Sequence, residues 1–109
     1  MPQGRGEHRF RGGGARVGWW RATYPLATLS VTRDEIALEV ALIGAYVFRP
    51  KDIVKIERWG VIPLIGSGVR FRHAVGRYPE RIVFLYWFPG LVIDRIQSVG
   101  FQPSASGEI

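Results

Sequence analysis

The stretch Arg81-Ile-Val-Phe-Leu-Tyr-Trp-Phe-Pro-Gly-Leu-Val-Ile-Asp-Arg-Ile-Gln-Ser-Val-Gly-Phe101 decides the architecture. Its first half reads as a strand over Ile82 to Phe88. Ile82, Phe84, Tyr86 and Phe88 share one face, and Val83, Leu85 and Trp87 share the other. A strand with one solvated face alternates apolar with polar residues. This one is apolar on both, so it is either covered twice or offers a contact surface. Pro89-Gly90 breaks the pattern, and proline is tolerated in the first turn of a helix, where its missing N–H is not needed. Phe88, Leu91, Val92, Ile96 and Val99 then fall at helical spacing, which predicts a helix over Leu91 to Val99. Gly100 stands where a left-handed C-terminal residue belongs, with Phe101 placed to pack back on the helix. About three turns do not persist alone, so this helix must dock on something.

Upstream, short strands are expected at Leu26 to Val31, Glu35 to Val40, Ala45 to Phe48, Val54 to Trp59 and Val69 to His73. Between them lie the turn Thr32-Arg33-Asp34-Glu35, the corner Pro50-Lys51-Asp52, an apolar connection over Gly60 to Gly68 and a loop over Val75 to Glu80. Tyr24-Pro25 interrupts an earlier extended segment that begins near Val17, because proline removes a ladder donor. Met1 to Gly14 is rich in Gly and Arg and poor in apolar surface, and is expected to be a flexible arm. The expected organisation is an arm at 1–14, one folded domain at 15–102 and a disordered tail at 103–109. The fold class is mainly β with one C-terminal α-helix: six or seven antiparallel strands, as a two-sheet sandwich or partly open barrel, capped by the helix.

The chain has 109 residues, which makes one domain, and 47% of them are hydrophobic, which is enough for a core. With no cysteine, disulfides, thiolate metal sites and cysteine nucleophiles are excluded. Net charge is +6. Residues 1–22 hold five arginines against Glu7 alone, so most of that charge is amino-terminal. No run approaches the roughly 20 apolar residues of a membrane-spanning helix. The chain reads as soluble and cytoplasmic.

Strands of this length ending in one helix resemble the pleckstrin-homology superfold, including small bacterial PH-like and GRAM-like domains. The resemblance rests on Leu29-Ser-Val-Thr-Arg-Asp-Glu-Ile-Ala-Leu38, Phe48-Arg-Pro-Lys-Asp-Ile-Val-Lys-Ile-Glu57, Gly68-Val-Arg-Phe-Arg-His73, Pro79-Glu-Arg-Ile-Val-Phe84 and the closing helix, and covers Trp19 to Phe101. It implies two sheets with the helix capping one corner, and a module that binds phosphoinositides or protein segments. Lipid-binding members carry Lys and Arg around the loop between the first two strands. The matching loop is Thr32-Arg33-Asp34-Glu35, where one arginine meets two acids, a departure from that pattern.

No residue set has the spacing of a catalytic or metal centre. His73 falls in register with Val69 and Phe71 and reads as structural. Ser67, between two glycines, lacks the flanks of a nucleophile elbow. Arg70 and Arg72 share a strand face, and with Arg81 and Arg49 form a candidate site for an anionic ligand. Val83, Leu85 and Trp87 form a candidate interface for a protein partner or a second copy. The expected function is a non-enzymatic binding or scaffolding module without cofactor, working through protein contacts or self-association. The alternatives are nucleic-acid binding through the basic arm, or an apolar ligand or lipid in the barrel.

Overall fold

The computed structural model describes residues 7–60 and 67–103, with backbone alone at 21–25. Seven strands are β1 (His8–Val17), β2 (Trp20–Val31), β3 (Ile36–Val40), β4 (Gly44–Phe48), β5 (Ile53–Trp59), β6 (Gly68–His73) and β7 (Ile82–Leu85), and helix α1 (Pro89–Ser98) follows them. They form one antiparallel sheet in the order β4-β3-β2-β1-β7-β6-β5, curled into a half-barrel. The expected class holds. The division into two sheets resolves into one ladder, in which β1 joins a β2–β4 half to a β5–β7 half.

The central strand is the one that sequence reasoning missed. The composition of residues 1–14 predicts a flexible arm, yet His8 to Gly14 are the first part of β1. Composition misled because the glycines here are not loosening the chain. A Cβ at Gly13 would strike the Phe84 ring and the Leu85 carbonyl, so only glycine lets β1 pass this close to β7. Gly12, at φ 79, takes a conformation that L side chains disfavour. The register shifts between Phe10 and Gly13 and again between Gly13 and Ala15. These irregularities bend β1 and curl the sheet. Pro25 sits inside β2 without harm because the pairing there is interrupted. From Ala15↔Ala22 to Gly13↔Ala27 the register advances five residues along β2 but two along β1.

The core fills the concave side. Leu29, Ile36, Leu38, Phe48, Ile53, Phe71, Ile82 and Phe84 are fully buried there, and Val92 and Ile96 of α1 close it. The helix begins at Pro89, two residues earlier than expected, and its buried stripe is Val92 and Ile96. Phe88 and Leu91, expected in that stripe, are exposed. The C-terminus follows the sequence reading. Gly100 has φ 89, its N–H donates to the Gln97 carbonyl, the Phe101 N–H donates to the Ile96 carbonyl, and Phe101 is buried.

The curl brings the β4 edge back onto the β6 end. Phe48 stacks on Phe71 at 6.1 Å, and Tyr78 meets the rings of Tyr46 and Phe48 edge-on. The Tyr78 hydroxyl accepts from the Val47 N–H at 3.1 Å, so part of the exposed β4 edge is occupied. Among the described residues no helix is long and apolar enough to cross a membrane. The apolar residues 61–65, the start of the arm at 1–6 and the tail at 104–109 lie outside the described residues.

Candidate functional site

β7 is shorter than expected, and its outward side chains are not on offer. Val83 is 0% and Leu85 3% exposed, so the candidate interface residues Val83 and Leu85 are covered by their own chain. Of that trio only Trp87 is exposed. The register explains the cover. One row across the convex face reads Arg16, Val83, Arg70, Glu57, and the next reads Gly14, Leu85, Gly68, Trp59. The Arg16 guanidinium lies over the Trp59 ring at 5.5 Å from its centroid. Since Arg16 is on β1 and Trp59 on β5, the two side chains span β7 and β6 between them, above Val83, Leu85 and Gly68.

This arrangement builds a cationic cleft. Arg16 and Arg70 flank Val83 from either side, two strand spacings of about 4.8 Å apart. Arg81 precedes β7 on the same face as Val83. With Gly18, Trp19, Pro79 and Glu80 these three arginines line a cavity of about 620 Å³. The Nε of Arg16 and the Nε of Arg70 are both buried with no hydrogen-bond partner among the described residues. A buried donor without an acceptor costs about 1–3 kcal/mol, more when the group is charged. Both Nε–H groups are covered by the chain itself, so an anion in the cleft would meet the terminal guanidinium nitrogens of these arginines.

The cleft walls are fixed by local chemistry. Gly18, at φ 59, turns β1 into β2, and its N–H donates to the Arg81 carbonyl at 2.9 Å. His73 holds the opposite loop. Its Nε2 donates to the Pro79 carbonyl at 2.8 Å, and its Nδ1 accepts from the Val75 N–H at 3.0 Å. Both ring nitrogens are used, in keeping with the structural reading of this residue. Ser67 is likewise engaged, its hydroxyl donating to the Tyr86 carbonyl.

The other candidate arginines separate. Arg72 donates from Nε to Glu57 at 2.7 Å, and Lys55 lies 3.8 Å from the same carboxylate. The hydrogen bond from Arg72 holds the Glu57 carboxyl below its ordinary range, and the charges of Arg72, Lys55 and Arg70 add to that while desolvation opposes it. Glu57 is therefore committed to Arg72 and does not bond Arg70, its cross-strand neighbour. Arg49 lies in a separate groove with Asp34, Glu35, Pro50 and Lys51. The loop between the first two strands is Gly18-Trp19, not Thr32 to Glu35, which joins β2 to β3. The departure noted there no longer bears on that loop. Arg16 is absent from the candidate set above, because without the β1–β7 pairing nothing aligns it with Arg70.

Comparisons with protein-family models, with curated proteins and with solved structures found no match.

Proposed function

We propose that this chain is a non-enzymatic, PH-like binding module that receives an anionic group between Arg16, Arg70 and Arg81. The strand order, with a central first strand and a C-terminal helix on the core, supports the PH-like reading. The observation that carries the ligand class is the convergence of three arginines on one cavity with no ion pair to any of them among the described residues. Guanidinium groups meet oxyanions with two parallel hydrogen bonds, which suits phosphate or carboxylate oxygens. Among the described residues none of the three arginines has a carboxylate within 4 Å, so no ion pair neutralises them. Scaffolding through Val83 and Leu85 is a weaker reading, because both are buried within the chain.

Isothermal titration of the full chain with inorganic pyrophosphate at low salt tests this. The expected result is saturable binding that Arg70→Gln weakens tenfold or more and Arg49→Gln changes less than twofold. Equal losses in both variants would mean diffuse attraction to a basic protein and would sink the proposal.

A further inference from the structure

We infer that the anionic ligand is a single-stranded nucleic acid, with a backbone phosphate between Arg16, Arg70 and Arg81 and a base stacked on Trp19. This rests on the anion-binding reading above and names the ligand of the same cleft.

The first observation is Trp19 itself. It lines the cleft beside the arginines and is fully exposed. A large aromatic side chain left wholly in water, on a turn that Gly18 fixes, presents a flat π-face and is not consumed by the core. A base stacked on such a ring is worth about 1–3 kcal/mol whatever the base.

The second observation is the direction of the charge. Phe10 points into the core, so its neighbours Arg9 and Arg11 point to the convex side. Further along β1 the same side carries Gly14 and Arg16, so a line of arginines runs along one strand toward Trp19. Arg9 contacts Glu7 at 3.4 Å, while Arg11 and Arg16 have no ion pair among the described residues. Arg70, Arg72 and Lys55 extend the same face sideways, with Glu57 and Glu80 as the opposing acids. A linear basic row that ends in a cleft with an aromatic wall matches a chain of spaced phosphates bearing flat bases. A membrane surface needs apolar side chains projecting together with cations around them. Here the cations line a cavity instead, and Trp20, the adjacent aromatic, sits in register with inward-facing Val17 on the other side of the sheet.

The test uses the full chain and three probes: a fluorescent twelve-nucleotide oligothymidylate, an abasic deoxyribose-phosphate chain of the same length, and vesicles of mixed phosphatidylserine and phosphatidylcholine. The oligothymidylate is expected to bind at least tenfold more tightly than the abasic chain. Trp19→Ala should erase most of that difference, and Arg70→Gln should weaken both chains. Trp19 is exposed, so its removal leaves the fold intact. Equal affinity for the two chains, with pyrophosphate still bound at the cleft, overturns the nucleic-acid inference and leaves the anion site standing. Trp19-dependent vesicle binding without oligothymidylate binding overturns it in favour of a lipid surface. Loss of pyrophosphate binding as well would remove the anion site itself.

Discussion

Arg16 and Trp59 meet across two intervening strands, the guanidinium 5.5 Å from the ring centroid. By the strand register the pair reaches over the outer face of β7, where Val83 and Leu85 are buried, and such cover makes a strand with two apolar faces compatible with a lone chain. Trp59→Ala removes half of that cover. It is expected to cost about 2 kcal/mol, below the roughly 3–5 kcal/mol of a fully buried aromatic, because the ring is only half-buried. Urea unfolding should show a lower midpoint with an unchanged slope. No change in midpoint would mean that other residues cover Val83 and Leu85.

The cover needs a bare backbone beneath it. A Cβ on Gly68 would collide with the Phe84 carbonyl, and β7 has no room to retreat from the core. Gly68→Ala is expected to destabilise by about 3 kcal/mol, the upper range for overpacking. Gly76→Ala, where a Cβ meets nothing within 4 Å, should be nearly neutral. Thermal melts of the two variants side by side decide this, and similar losses would contradict the close approach of β6 to β7.

Glu57 carries a pH dependence of known sign. Its carboxyl titrates lower in the folded chain than the ordinary 4.5, mainly through the Arg72 hydrogen bond. A depressed folded value means a stabilising contribution that is complete above the unfolded value and is lost as pH falls through the folded one. The wild type should therefore lose more stability than Glu57→Gln as pH drops from about 5 to about 3. Parallel losses in the two proteins would show that the ion pair with Arg72 contributes nothing.

Tyr78 ties the β6–β7 loop to the β4 edge. Tyr78→Phe keeps the ring contacts with Tyr46 and Phe48 and removes the hydroxyl that accepts from Val47. The expected cost is about 1 kcal/mol. Amide exchange at Val47 should quicken well beyond what global destabilisation explains. If it does not, the hydroxyl does not protect this edge.

Much of the fold was legible because burial imposes a period. Ile36, Leu38 and Val40 alternate with Ala37 and Glu39, and β3 lies where that alternation puts it. Gly100 and Phe101 announced the helix end because few other sequences satisfy that cap. β1 was illegible for the opposite reason. Its glycines are required by close approach to Phe84 and Leu85, a tertiary contact with no local signature. The cleft was half legible for the same reason. Of the candidate set Arg70 and Arg81 line the cleft while Arg49 and Arg72 do not, and Arg16 joins only through the β1–β7 pairing. The row of Arg9 and Arg11 likewise became visible once Phe10 was seen to point inward. Val83 and Leu85 looked like an interface because an apolar face does not reveal whether its cover comes from the same chain.

The central claim is that Arg16 and Arg70 hold one anion between them. The most direct measurement is an NMR titration of the arginine Nε–Hε resonances with inorganic pyrophosphate. The account predicts that the Arg16 and Arg70 signals shift together along one saturable curve, Arg81 with them, while Arg49 and Arg33 stay in place. Shifts spread evenly over all arginines, or confined to Arg49 and its groove, would contradict it.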